Sequence, residues 1–207
     1  PGYSQEYLNN PLDSSEAYLR RSEFREISAD ERDEPKLICA AADFAISKAD
    51  KANRTSLTVG GKTVGNLLCF LDQRVGRWDS EEICEALFEV VEIWKPDVFF
   101  VEGGQIWLAL WPMLKKEMLK RNRFINFEVK TPIRDKASRG RSWQRRMRAG
   151  ACRFEKKAEW FPGYEDECLR FTGHSEATLD DQFDSSALLS LGFDTLGEVE
   201  DEDFYDD

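Results

Sequence analysis

Apolar positions along this chain fall into two alternating periods. KLICAAADFAIS, from Lys36, is a continuous apolar run broken by Asp43, the pattern of a strand buried on both faces. RTSLTVGGKTVGNLLCFLDQRVGR, from Arg54, holds two β-rich runs around glycines, most simply an antiparallel pair joined through Gly60-Gly61. The period then changes to that of a helix. In SEEICEALFEVVEIW, Ile83, Leu87, Val90, Val91 and Trp94 recur at helical spacing, after the capping residue Asp79 and before Pro96. DVFFVEGG returns to strand and delivers Glu102 at its end. A second amphipathic helix is predicted over 105–120, then the strand FINFEVKT, a helix between 138 and 149, and a last helix begun at Thr178. Three early strands, helix, strand, helix, strand and closing helices make an α/β layer structure on a mixed sheet.

The two ends differ from this pattern. Residues 1–36 are polar and punctuated by Asn9-Asn10-Pro11 and Asp33-Glu34-Pro35, so they read as a linker with a short charged helix around 15–26. The last ten residues, EVEDEDFYDD, hold seven acids, and 194–207 read as an acidic, disordered tail. Residues 37–193 remain as one domain of ordinary size. No apolar run approaches the roughly eighteen residues of a membrane span. The chain opens Pro-Gly without a signal peptide, and is read as a piece of an intracellular protein.

Charge changes the picture more than composition does. The net charge is −11, yet eleven basic residues stand between Lys130 and Lys157 against two acids. That segment therefore carries +9, and the remainder −20. Such asymmetry suggests a polyanion-facing patch on an acidic body, with Arg134, Lys136, Arg139, Arg145 and Arg146 as candidate contacts. A solvated basic face pairing with acids elsewhere is the alternative. Five scattered cysteines and a single histidine, His174, give no zinc-site spacing, so reduced thiols in the core are expected. Gly60-Gly61-Lys62-Thr63 is not a phosphate-binding loop, because Ser56 stands where the first glycine of that motif belongs.

The candidate chemistry lies in carboxylates. Asp43 and Glu102 end predicted strands, and TLDDQFDSSALL places Asp180, Asp181 and Asp184 at the start of the last helix. Each has a plain explanation, strand-end solvation or helix capping, and Thr178 with Asp181 has capping-box spacing. Together they would repel one another at one edge of a core unless a cation neutralised them. All-oxygen ligands select Mg²⁺ or Mn²⁺. Two such ions can activate a water and stabilise the leaving oxygen of a phosphodiester. At 100° per residue the three aspartates fall on or beside the buried helix face, and Asp181 is expected to bind metal chiefly, with Asp184 second and Asp180 in support.

WKPDVFFVEGG, TPIRDKASRGRSWQRRMRAG, EWFPG and LDDQFDSSALL together resemble the C-terminal nuclease domain of the large terminase subunit of tailed double-stranded DNA bacteriophages. The resemblance covers roughly Leu37 to Phe193, and QEYLNNPLDSSEAYLRRSEF is similar to the end of that family's ATPase motor. It implies a ribonuclease H-like fold, three antiparallel strands followed by parallel ones and flanked by helices. It also implies an Mg²⁺- or Mn²⁺-dependent endonuclease that cuts concatemeric viral DNA by two-metal-ion hydrolysis, leaving 5′-phosphate and 3′-hydroxyl ends. Asp43, Glu102, Asp181 and Asp184 would be catalytic, with Asp180 a further metal ligand. Partners would be double-stranded DNA, the ATPase motor domain, the small terminase subunit and the portal protein, in the host cytoplasm at the procapsid portal. Weak sequence preference follows from phosphate contacts. Leu179 departs from the family, which often has histidine before the Asp-Asp pair, and the motor's nucleotide motifs are absent. A Holliday-junction resolvase or transposase of the same fold is the alternative enzyme, and a non-catalytic acidic docking module the alternative of another class. The sequence does not decide whether Asp50 or His174 assists the site.

Overall fold

The structure, a computed structural model, describes residues 17–34, 36–46, 53–133, 135–173 and 179–196. Its centre is a six-stranded mixed sheet in the order β5-β4-β1-β2-β3-β6. Strand β1 (Lys36–Asp43) runs antiparallel to β2 (Thr55–Thr63), which pairs antiparallel with β3 (Leu68–Gly76). On its other side β1 is parallel to β4 (Val98–Glu102), followed by the parallel β5 (Phe127–Lys130). The alanines of β1 alternate between two cores: Cys39 and Ala41 pack on one face, Ala40 and Ala42 on the other. Small side chains there let both helical layers approach the sheet.

Among the described residues seven α-helices flank the sheet. One layer holds α2 (Ser80–Trp94) and α3 (Gln105–Arg121), whose Ile83, Leu87, Val90, Leu110 and Leu114 bury against Ala40, Ala42 and Phe99. Asp79 caps α2 as its spacing predicts, accepting from the N–H groups of Glu81 and Glu82 at 3.0 Å. The other layer holds α4 (Lys136–Arg139), α5 (Arg141–Arg148), α6 (Phe161–Arg170) and α7 (Asp181–Thr195). None of the helices among the described residues is long and apolar enough to cross a membrane. All five cysteines are buried free thiols.

Helix α7 is the keystone of that second layer. Residues 181–190 are buried on every side, including Ser185, Ser186 and Ser190. Their hydroxyls are satisfied inside: Ser185 Oγ lies 2.8 Å from Ser56 Oγ and 2.7 Å from Thr58 Oγ1, and Ser186 Oγ lies 2.9 Å from the Tyr164 hydroxyl. Small residues on both sides of the contact bring helix and sheet together. A Cβ on Gly60 would stand 2.7 Å from Leu189 Cδ2, and one on Gly192 only 2.3 Å from the Phe100 ring.

Several elements differ from the sequence reading. Gly60 and Gly61 lie within β2, where the register shifts between Val59 and Gly60, and do not form the hairpin turn. The chain reverses at 64–67, where Thr63 N–H donates to Leu67 O at 3.0 Å and Asn66 takes a left-handed φ of 62°. A sixth strand, β6 (Cys152–Phe154), pairs parallel with β3 and went unread because it is three residues long inside a basic stretch. Residues 17–34, expected as linker, pack into the core through Leu19, Phe24 and Ile27. Ile27 N–H donates to Phe154 O at 3.0 Å and Phe154 N–H to Arg25 O at 2.9 Å, so this segment covers the β6 edge. Instead of a helix over 15–26 it forms a 3₁₀ turn at Arg21–Glu23 and a short helix, α1 (Ala29–Asp33), capped by Ser28. Helix α7 runs Asp181–Thr195, so Asp194 and Thr195, expected in the disordered tail, are helical; Thr178, expected to cap the helix, and the tail beyond 196 lie outside the described residues.

Close approach of α7 to the sheet makes Gly192 sensitive. An alanine there gains about 1 kcal/mol of helix propensity but drives its Cβ into an aromatic ring. Gly192→Ala is expected to lower stability by about 1–3 kcal/mol in urea unfolding.

Candidate active site

Strands β1 and β4 run side by side, Ala42 opposite Val101, so the next residue on each, Asp43 and Glu102, reaches the C-terminal edge of the sheet together. That edge is where open α/β sheets present ligand-binding groups. The first turn of α7 crosses it. Asp43, Glu102 and Asp184 line one small cavity of about 20 Å³ with Thr131, Ile133 and Arg139. Burial drives the Asp43 pKa well above the usual carboxylate range, and repulsion from Asp184, Glu102 and Asp181 adds to it, while Arg139 opposes.

Two arginines meet the charge of α7. Arg139 Nη1 donates to Asp184 Oδ2 at 2.6 Å, and its Nε and Nη2 donate to Ile133 O at 3.2 and 3.0 Å. Arg54 Nε donates to Asp181 Oδ2 at 2.9 Å, and its Nη2 to Glu167 Oε2 at 2.5 Å. Burial works against the Arg54 charge, but Glu167 and Asp181 outweigh it and hold the guanidinium pKa above its usual value. Glu167, buried on α6, also accepts from Gln182 N–H at 2.8 Å and from Gln182 Nε2 at 2.7 Å. It thereby satisfies a first-turn amide of α7 that the N-cap residue Asp180 does not reach with its own side chain.

No protein-family model and no curated protein matches the sequence. Solved structures do match in architecture. The nuclease domain of the large terminase subunit gp2 of bacterial virus Sf6 aligns with TM-score 0.61 at 9% identity, over 84% of this chain and 97% of that one. The large terminase nuclease from thermophilic phage G20c, with bound cobalt, aligns with TM-score 0.56 at 14% identity, over 81% and 84%. The fowlpox virus Holliday junction resolvase aligns with TM-score 0.50 at 13% identity, over 78% and 100%. The fold is ribonuclease H-like. Identities this low carry the architecture alone.

Within the ribonuclease H-like sheet the residues expected from sequence are distributed unevenly. Asp184, not Asp181, shares the cavity with Asp43 and Glu102, while Asp181 sits one turn earlier on Arg54. Among the basic residues, Arg139 faces the cavity, Arg145 is exposed, and Arg146 donates to Asp194 Oδ1 at 2.5 Å. Lys136 opens α4; Arg134, Asp50 and His174 lie outside the described residues. Arg54 and Glu167 were missed, since a lone arginine before a strand and a lone acid on an amphipathic helix read as solvated charges. Among the described residues no three acidic, histidine or cysteine side chains already form a ligand cluster; Asp181 and Asp184 are each paired with an arginine. The donor set itself, three carboxylates on one cavity, nonetheless fits a hard divalent cation once Asp184 exchanges Arg139 for it.

The Asp43 shift has a defined sign. An acid whose folded pKa is raised contributes most stability below its unfolded pKa and loses it as pH rises through the folded value. Asp43→Asn is therefore expected to melt higher than the parent at pH 8. The gap should open above about pH 4 and level off past the folded pKa. Thermal melts across pH check this.

Proposed function

We propose that this chain is a divalent-cation-dependent nuclease that cuts double-stranded DNA during viral genome packaging. The observation that carries the reading is the convergence of Asp43, Glu102 and Asp184, from β1, β4 and α7, on one cavity. Support comes from the architecture shared with terminase nuclease domains, solved for G20c with magnesium and for Sf6 with manganese. Asp43, Glu102 and Asp184 would hold Mg²⁺ or Mn²⁺. When bound, such an ion lowers the pKa of a water and stabilises charge on the phosphodiester oxygens.

The polypeptide's own groups have separate tasks. Arg139, anchored on Ile133 O, keeps a guanidinium beside the cavity when Asp184 turns to a cation, a planar fork suited to a phosphate. Arg141, Arg145 and Arg148 are exposed and recur at four- and three-residue spacing along one face of α5, extending positive charge away from Arg139. Contacts of this kind position a duplex without reading its bases. Hydrolysis would leave 5′-phosphate and 3′-hydroxyl ends. The ATPase motor domain, the small terminase subunit and the portal protein would be partners, in the host cytoplasm at the procapsid portal. Residues 37–193 would form the nuclease, with 17–34 as a strap built into it. A Holliday-junction resolvase is the second reading, on the strength of the fowlpox likeness at TM-score 0.50.

Purified protein is expected to cut linear duplex DNA with Mg²⁺ or Mn²⁺ and without ATP. Asp43→Asn, Glu102→Gln and Asp184→Asn should each slow cutting on the order of 100-fold or more while remaining folded by circular dichroism. Cleavage that persists in EDTA would overturn the reading, and cleavage confined to four-way junctions would favour the resolvase. Binding separates the basic residues: Arg141→Ala with Arg145→Ala should flatten the dependence of log affinity on log salt by about 0.9 per lost phosphate contact. Arg146→Ala, which breaks the pair with Asp194, should leave that slope unchanged.

A further inference from the structure

Tyr18, in the strap, touches α4, α5 and α7 at once. Its hydroxyl donates to Ala137 O in α4 at 2.6 Å, and its own carbonyl accepts from Gln144 Nε2 in α5 at 2.7 Å. The ring packs edge-on against Phe171, with centroids 4.8 Å apart, and against Phe183, the chain neighbour of Asp184, at 5.4 Å. There is no slack in this packing. A Cβ on Gly140, the residue joining α4 to α5, would stand 2.7 Å from the Tyr18 hydroxyl oxygen and 2.4 Å from Phe183 Cζ. Burial pushes the phenol pKa up to about 12, so the hydroxyl keeps its proton, and its bond to Ala137 O, at neutral pH.

Helix α4 spans only Lys136–Arg139, too short to hold itself together by its own hydrogen bonds or to satisfy its own last carbonyls. Its place is set by its neighbours. Arg139 ends it, two residues after the carbonyl that Tyr18 grips, and its guanidinium meets Asp184. In the nuclease reading above, on which this inference rests, Asp184 turns to a cation and Arg139 keeps the neutral Ile133 O. The ion pair then no longer ties α4 to the cavity. We propose that Tyr18 is a positioning residue for Arg139: its hydroxyl fixes α4, so that the guanidinium stays at the cavity, ready for a phosphate, after Asp184 has left it. The strap, 119 positions from Ala137 along the chain, is thereby part of the frame of the site.

Tyr18→Phe in the full chain removes this one hydroxyl and leaves the ring to pack on Phe171 and Phe183. Proton exchange at the arginine side chains, followed by ¹⁵N magnetic resonance, reads the effect without any reaction. In an Asp184→Asn background, where the ion pair is gone, adding Tyr18→Phe should speed exchange at Arg139 Nε–H, held on Ile133 O, by about tenfold. Arg54 Nε–H, held on Asp181, should not change. A merely structural loss would loosen both arginines alike, and that result, or an unmoved Arg139, overturns the proposal. Cutting gives a second readout. With Mg²⁺ and linear duplex DNA, Tyr18→Phe should lower kcat about tenfold and leave KM within about twofold, since the exposed arginines of α5 are untouched. In an Arg139→Ala background the same substitution should change nothing further, because the group it positions is absent. An equal loss in both backgrounds would likewise refute the role of Tyr18. A parent that cuts no DNA sinks the nuclease reading, and the exchange comparison still decides whether Tyr18 holds Arg139.

Discussion

Helix α7 is buried through residues 181–190, and its first turn still carries Asp181 and Asp184. Two carboxylates are thus placed where water solvates them poorly, and Asp184 shares a cavity with Asp43 and Glu102 from the sheet. Charges so placed need opposite charge and hydrogen bonds at short range. Arg54 and Arg139 supply both, and each reaches in from a different part of the chain, one before β2 and the other at the end of α4. The fold around the sheet edge is arranged by this requirement. Helix α4 is drawn toward the cavity, α6 contributes Glu167, and α7 gains an acceptor at its start from a neighbouring helix.

That electrostatic demand is met only because α7 comes very close to the sheet. Gly60, Gly192 and the serines at 185, 186 and 190 remove bulk on both sides of the contact. Their hydroxyls pair with Ser56, Thr58, Tyr164 and Ser142, so close packing leaves those polar groups satisfied. A larger residue at any of these contacts would lift the helix and carry Asp184 away from Asp43 and Glu102. Packing and chemistry are coupled through the same few ångströms.

The parts of this fold legible in the sequence were those set by local pattern. The unbroken apolar runs of β1 and β4, the Asp79 cap of α2 and the strand-end positions of Asp43 and Glu102 all follow from short-range rules. The parts missed depend on contacts distant along the chain. The strap over β6 joins residues about 130 positions apart, Arg25 to Ile27 with Phe154, and nothing polar and local announces it. Angular position on α7 says little about which aspartate meets the cavity, because it assumes one buried face and one wet one, while residues 181–190 of this helix are covered all round. Asp184 meets the cavity and pairs with Arg139, while Asp181 pairs with Arg54.

The two guanidiniums also bear on how the protein comes to be. Many small metal-binding domains are unfolded until their ion arrives, because the ligands cannot be gathered without it. In this chain the countercharge for Asp181 and Asp184 is encoded in the polypeptide, at Arg54 and Arg139, and is delivered by folding itself. Assembly is thereby separated from ion supply. The charge of these two aspartates is balanced in the folded chain before any ion is bound.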